Sequence, residues 1–208
     1  MRKVLKPFVA GMQRSDEKLT RLAMKLMAMR TRSPRPIHPK NLLHGAAESQ
    51  VWFREFLPTS GRVLDLGAGS GAFSVLAASA GARVTSLERD ANNLKLIRSM
   101  REKLPLPDRL ELIEHDLEAF PYPVKNGAFD VVISHDVVEH LYRRDEHLRE
   151  AARALKPGGK LILAAPNRNT TWKRVRGFCG LSTLADEDHK VEYSRDELLA
   201  ELARGGFT

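Results

Sequence analysis

The sequence has very little cysteine and no long apolar run. Its single cysteine, Cys179, excludes an internal disulfide and any zinc cluster built on cysteine thiolates. No apolar stretch approaches the roughly 18 residues that suggest a membrane-spanning helix, and the longest one near the N-terminus covers only residues 8–12. The composition therefore predicts neither a transmembrane span nor a secretory segment, and we expect a reducing, cytoplasmic location.

Acidic residues are scarce at the N-terminus, and this scarcity produces the net charge of +8. Residues 1–40 hold 11 Lys and Arg against two acids, a charge of +9, which leaves 23 basic and 24 acidic residues, or −1, for residues 41–208. A near-neutral body argues against a domain that grips a nucleic-acid backbone. We therefore expect a partner other than nucleic acid, although a basic arm can still contact RNA or the surface of an anionic membrane.

The basic arm contains one amphipathic pattern. Within residues 15–30 the apolar side chains recur at helical spacing, at Leu19, Leu22, Ala23, Leu26 and Met29. Such a helix needs a surface to lie against, and the body, a dimer partner, a membrane or the mouth of a binding site would each provide one. Three prolines within residues 31–40 then predict a linker. The sequence thus divides into an arm, residues 1–40, and a domain, residues 41–208, which opens with an amphipathic helix over residues 41–57.

The most informative stretch is residues 62–74, R-V-L-D-L-G-A-G-S-G-A-F-S. A short apolar run predicts a buried strand, and the glycines that follow allow a tight turn that a ligand can approach closely. The spacing from Gly67 to Ala72 also satisfies the dinucleotide pattern, with Glu88 near the distance of a ribose-binding acid. A third glycine at Gly71 departs from the dinucleotide pattern, and the negative charge of Asp65 favours an ammonium or sulfonium ligand over a pyrophosphate.

Beyond this turn, strand and helix patterns alternate. Strands are predicted over residues 83–87, 110–113, 129–134 and 160–165, and helices over residues 91–103 and 145–155. Strands separated by helices predict an α/β fold with a doubly wound, mainly parallel sheet that binds ligands at the carboxyl ends of its strands.

In this order the segments resemble the class I S-adenosylmethionine (SAM) dependent methyltransferases, of the methyltransferase type 11 kind. The resemblance rests on residues 62–74, on F-D-V-V-I-S-H-D-V-V-E-H-L at residues 129–141, and on L-K-P-G-G-K-L-I-L at residues 155–163. It implies a Rossmann-like methyltransferase fold, SAM as cofactor with S-adenosylhomocysteine as product, and methyl transfer to a small-molecule or lipid-like acceptor. The N-P-P-Y-like turn of DNA and glutamine amino-methyltransferases is missing after residue 134.

The resemblance also assigns roles to individual residues. Glu88 would hold the ribose hydroxyls, Asp116 would accept the adenine amino group beside Leu117, and Ser134 and His135 would lie near the methionine part. The full cofactor set comprises Asp65, Gly67, Ala68, Gly69, Gly71, Glu88, Asp116, Leu117, Ser134 and His135.

Methyl transfer needs alignment and, where the acceptor carries a proton, a base. Histidine is the usual base near neutral pH, and His140 and His135 are the candidates. A structural histidine bonded to a backbone carbonyl is the alternative for each. Residues 166–193 correspond to the acceptor-binding insert and contain basic and aromatic residues, which favour an anionic or planar acceptor. No metal ligands are assigned.

The C-terminal helix, with a capping box at Ser194 and Glu197 and glycines at its end, stops shortly before residue 208. The resembling family continues there into two edge strands. Their absence leads us to expect a truncated chain, or a homo-oligomer or partner that covers the sheet edge. Three rival functions also stay open: a non-catalytic SAM-binding subunit, a NAD(P)-linked oxidoreductase and an RNA methyltransferase.

Overall fold

The computed structural model describes residues 55–180, 184, 186 and 188–208. The basic arm and its helix lie outside the described residues. So does the helix predicted over residues 41–57, apart from residues 55–57, which form a turn and a bend. The chain divides into two compact units: residues 54–167 with 185–208, here called the body, and residues 1–53 with 168–184.

The body is built on one five-stranded sheet. Its strands are β1 (Arg62–Leu66), β2 (Arg83–Glu88), β3 (Leu110–Glu114), β4 (Phe129–His135) and β5 (Leu155–Ala164). Its helices are α1 (Ala72–Ala80), α2 (Ala91–Arg101), α3 (Arg144–Ala154) and α5 (Arg195–Arg204), while α4 (Thr171–Phe178) belongs to the other unit. The strands lie in the order β3-β2-β1-β4-β5 and every neighbouring pair is parallel. The predicted doubly wound α/β fold is confirmed.

Strand β1 forms the centre of the sheet. Val63, Leu64 and Leu66 are fully buried, as expected for a parallel strand covered by helices on both faces. From β1 the chain continues to β2 and β3 on one side of the sheet. It then crosses to β4, on the other side of β1, and continues outward to β5. The strand order therefore reverses next to β1, and the crevice for a ligand is expected at the carboxyl ends of β1 and β4.

The sequence pattern placed the start of β5 too far along the chain. Helix α3 ends at Ala154, and β5 begins directly at Leu155 rather than at residue 160. Leu155 pairs with Phe129 and Lys160 with Val131, so the intervening Pro-Gly-Gly segment forms an irregularity inside the pairing of β4 with β5. Proline and glycine mark a turn in the sequence, but the backbone returns to the same neighbour after it.

Strand β5 lies at one edge of the sheet, and within residues 55–180 and 188–208 its recorded strand pairing is with β4 alone. Across the part of the chain that the structure describes, no helix is both long and apolar enough to cross a membrane.

The capping box of α5 is confirmed. The Ser194 hydroxyl accepts the Glu197 N–H at 3.3 Å, and the Glu197 carboxylate accepts the Ser194 N–H at 2.9 Å. We expect Ser194→Ala to lower the free energy of unfolding by about 1 kcal/mol because it leaves an N-terminal N–H without its acceptor. Urea denaturation measures this. Thr170→Ala is the matched control, since Thr170 precedes α4 without a side-chain capping bond; an equal loss in both variants would contradict the capping role of Ser194.

Candidate active site

A cavity of about 340 Å³ opens at the carboxyl ends of the strands. Its wall combines residues at or just after the ends of four parallel strands: Gly67 after β1, Glu88 at the end of β2, Asp116 and Leu117 after β3, and Asp136, Val137 and residues 140–142 after β4. Arg89, His115, Glu118, Asp188 and Lys190 complete the wall. The volume lies within the range of about 300–1,000 Å³ that small-molecule sites occupy.

The glycine turn after β1 has the backbone that the sequence predicts. Gly67, Gly69 and Gly71 have φ values of 72°, 54° and 78°, in the left-handed region that favours glycine. A Cβ at Gly67 would lie 2.7 Å from Val137 Cγ2 and one at Gly71 would lie 2.6 Å from Ile97 Cγ1. A Cβ at Gly69 would meet nothing closer than a backbone oxygen at 3.9 Å. Packing therefore requires glycine at two positions, while the third leaves open space beside the loop.

Glu88 holds this turn against the end of β2. Its Oε2 accepts the Gly69 N–H at 2.7 Å, and its Oε1 accepts the N–H groups of Arg89 at 2.8 Å and Asp90 at 2.7 Å. Since each carboxylate oxygen has two acceptor positions, Oε2 retains one for a ligand hydroxyl. The side chain is buried but lines the cavity, so it is fixed before any ligand arrives.

Asp116 offers a second carboxylate to the same cavity. The Glu118 backbone N–H, which donates to it at 3.0 Å, and the Arg89 guanidinium at 3.1 Å lower the pKa of this carboxyl. The ionised group is an acceptor only, which suits an amino group of a ligand. Leu117, next in the chain, is 7% exposed and presents an apolar surface beside it.

Residues 64–163 match the protein family described as a methyltransferase domain. Over these residues the chain carries a SAM-dependent methyltransferase domain. The predicted family is thereby confirmed, and the ordered motifs after β1, β4 and α3 fall inside the matched residues.

Individual relatives agree with this assignment. A protein named probable S-adenosylmethionine-dependent methyltransferase from Mycobacterium tuberculosis is 31% identical over 160 residues, 76% of this chain and 53% of the relative. A ubiquinone biosynthesis O-methyltransferase from Xanthomonas oryzae is 36% identical over 109 residues, 51% of this chain and 44% of the relative. A solved SAM-dependent methyltransferase from Thermotoga maritima has the same fold, with a TM-score of 0.62 at 22% identity over 82% of this chain and 75% of that one. The chain spans about half the length of these curated relatives.

The methyltransferase domain brings only some of the predicted site residues to the cavity. Those that line it are Gly67, Glu88, Asp116, Leu117 and His140. The others lie behind or beside the wall: Asp65, Ala68, Gly69, Gly71, Ser134 and His135. Gly69 still helps to position a wall residue, because its N–H donates a hydrogen bond to the Glu88 carboxylate.

Asp65 lies beneath the glycine turn. It is 2% exposed, its carboxylate accepts a short hydrogen bond from the Ser74 hydroxyl of α1, and Ser74 Oγ lies 2.7 Å from Ser86 Oγ of β2. Burial raises the pKa of this carboxyl to about 6. In this structure Asp65 ties β1 to α1 rather than presenting its charge to the cavity.

Ser134 also faces the interior, where it ends a buried hydrogen-bond chain that the sequence did not reveal. Tyr122 donates its hydroxyl proton to the Leu117 carbonyl at 3.1 Å, so the 2.7 Å bond between Tyr122 and His147 Nδ1 has the imidazole as donor. His147 Nε2 then accepts the Ser134 hydroxyl at 3.0 Å. Burial lowers the pKa of His147 to about 4, which keeps the ring neutral. These hydrogen bonds connect Leu117, in the cavity wall, to Ser134 of β4 and His147 of α3.

His135 packs its ring against Phe73, with centroids 4.5 Å apart, and its Nδ1 lies 3.3 Å from Asp136 Oδ2. Burial opposes the charged form, but the hydrogen bond and charge of Asp136 and the charges of Asp65 and Glu139 raise the pKa of His135 overall. A ring that holds its proton more firmly is less available as a base at neutral pH.

His140 ends a short 3-10 turn, Val138–His140, and lines the cavity. Its ring lies edge-on to that of His189, with centroids 4.7 Å apart. The Lys190 N–H donates to the Glu139 carbonyl at 2.7 Å and fixes the two segments together. Part of the predicted acceptor-binding insert thus meets the turn after β4.

Proposed function

We propose that this chain transfers a methyl group from SAM to a small-molecule or lipid-like acceptor. The observation that carries the proposal is the placement of Glu88 and Asp116 on one cavity wall with the glycine turn. The name of the Xanthomonas relative describes an O-methyltransferase of ubiquinone biosynthesis, which supports a small acceptor.

The residues present fit SAM. Glu88 Oε2 has a free acceptor position for a ribose hydroxyl, ionised Asp116 can accept an amino group, and Leu117 can pack on a planar base. The open space at Gly69 leaves the backbone accessible. Bound SAM would supply a methyl carbon on a sulfonium. Transfer of that methyl group to the acceptor would leave S-adenosylhomocysteine, and the proton lost by the acceptor would pass to a base or to water.

The domain's own contribution is alignment, and we propose His140 as the group nearest to the acceptor. It lines the cavity, whereas His135 lies outside the wall and holds its proton through Asp136. The acceptor-binding role of residues 166–193 and the division into an arm (1–40) and a domain (41–208) are parts of the same proposal. We place the reaction in the cytoplasm, with the basic arm as a contact to anionic membranes.

Calorimetric titration with SAM, S-adenosylhomocysteine and NAD(P) tests the cofactor. We expect heat with the first two and none with the third. His140→Ala should then retain SAM affinity and lose turnover against an acceptor panel, while His135→Ala should retain more turnover. No heat and no thermal shift with either adenosyl compound would overturn the proposal, and turnover unchanged in His140→Ala would remove that residue's role.

A further inference from the structure

Three side chains at one end of the cavity converge without hydrogen-bonding one another. Glu139, His140 and His189 each offer one ligand atom, and these atoms all lie within 4.8 Å of one another. Glu139 and His189 are buried, while His140 is half-buried and reaches the cavity. Two imidazoles and a carboxylate form a donor set that suits divalent first-row transition metals.

The Glu139 carboxylate is the independent observation that points to a ligand. The side chain is fully buried, and within the described residues neither Oε1 nor Oε2 has a hydrogen-bond partner. A buried carboxylate without a partner is costly. Protonation would neutralise the charge, but the resulting O–H would still lack an acceptor. A cation between Glu139 and the two histidines satisfies the carboxylate directly.

His189 is already oriented for this task. Its Nδ1 lies 3.1 Å from Glu192 Oε1, and both side chains are buried. Metal-bound histidines usually donate one ring N–H to a carboxylate, which fixes the ring and leaves the other nitrogen's lone pair for the ion. The bond to Glu192 therefore leaves Nε2 of His189 as the available donor.

We propose that Glu139, His140 and His189 bind one divalent transition-metal ion, of the Zn²⁺ or Mn²⁺ type. Ligand atoms in a tetrahedral zinc site lie roughly 3.3 Å apart, given metal–ligand distances of about 2.0–2.1 Å. Because the ligand atoms lie within 4.8 Å of one another, they must approach by at most about 1.5 Å when the ion enters, and we expect side-chain rotations to provide this change.

The position of the site suggests its use. His140 lines the cavity together with Asp136 and Asp188, so an ion bound to His140 would border the space beside the cofactor residues. An oxygen of the acceptor, such as a phenol or carboxylate, would bind there. This role rests on the proposed function, whereas the binding of the ion does not.

Metal binding is measured directly on the untagged full chain after treatment with a chelator and dialysis. We expect titration with ZnCl₂ or MnCl₂ to show one ion per chain, and Mn²⁺ bound to the protein to lose its free-ion electron paramagnetic resonance signal. Glu139→Gln and His189→Asn should each weaken binding at least tenfold. His115→Asn is the matched control, because His115 lines the same cavity but bonds the Ala119 carbonyl outside the cluster.

Circular dichroism melts of each variant verify folding, and half-buried His140→Asn provides a third ligand variant if a buried one fails to fold. No ion in the wild-type chain, or equal affinity in Glu139→Gln, His140→Asn and the His115→Asn control, overturns the site. A SAM titration in the presence of chelator is independent of this result. A chain that binds SAM but fails to bind the metal ion in the metal titration overturns only the metal site, and a chain that binds the metal ion but not SAM overturns only the proposed methyl transfer.

Discussion

Replacing Glu88 by alanine is expected to weaken SAM binding about tenfold to a hundredfold. A hydrogen bond to a charged group contributes about 1.5–3 kcal/mol, which corresponds to that loss in affinity. The structure adds a second effect, because the Glu88 carboxylate accepts N–H groups from Gly69, Arg89 and Asp90. Alanine leaves all three without this acceptor, so the free energy of unfolding should fall as well. Calorimetry with SAM and urea denaturation measure the two effects separately.

Glu88→Gln separates binding from folding. Its amide oxygen can keep the bonds to Arg89 and Asp90, but its NH₂ group then faces the Gly69 N–H and has no negative charge for the ribose. We expect stability closer to wild type and affinity still reduced. Glu114→Ala is the matched control, because Glu114 pairs with Glu88 at the end of the neighbouring strand yet lies outside the cavity wall. Wild-type affinity in Glu88→Gln would refute the ribose role.

The elements that the sequence predicted well are those defined by local pattern. The apolar run before Gly67, the left-handed glycines and the capping box at Ser194 depend on neighbours within a few residues, and the structure reproduces each one. The doubly wound parallel sheet also followed, since alternating helices and strands permit few parallel arrangements. The limits of β5 could not be predicted, because a Pro-Gly-Gly segment can either end a strand or interrupt it. Only the pairing of β5 with β4 distinguishes these two cases.

The sequence alone did not show which of the predicted site residues line the cavity, because the position of a residue along its strand determines which way its side chain faces. Asp65 and Ser134 lie one residue before the ends of β1 and β4, and their side chains bond Ser74 of α1 and His147 of α3 in the interior. Glu88 ends its strand and reaches the cavity. The contact of His140 with His189 joins residues far apart in sequence, and no local pattern contains it.

The buried side chains of Asp65 and His147 should have opposite effects on the free energy of unfolding as the pH changes. Asp65 has a folded pKa of about 6 against an ordinary value of 3.8. Between these values the folded state holds a proton that the unfolded state releases, so Asp65 lowers stability as the pH rises. His147 has a folded pKa of about 4 against 6.5. There the unfolded state binds the extra proton, so stability is lost as the pH falls.

Each contribution amounts to roughly 3 kcal/mol, since one pKa unit corresponds to about 1.4 kcal/mol. Between about pH 4 and pH 6 the two nearly cancel in the wild-type chain. Asp65→Asn should therefore leave the pH dependence due to His147 without its counterpart. Relative to wild type, the free energy of unfolding of the variant should increase by about 3 kcal/mol as the pH rises from 4 to 7. His147→Gln should show the reverse relative slope, whatever constant loss its packing causes. Urea denaturation at several pH values gives both difference curves.

Asp108→Asn supplies the control, because Asp108 is exposed in the short turn before β3, and its curve should run parallel to that of the wild type. A parallel curve for Asp65→Asn would show that the folded state does not hold a proton on Asp65, and the bond from Ser74 would then stabilise an ionised carboxylate. A flat difference for His147→Gln would likewise show that the ring takes up its proton inside the fold over the same pH range as in the unfolded chain. Both nitrogens of the protonated ring would then donate, and the Ser134 hydroxyl would have to accept from Nε2 instead of donating to it.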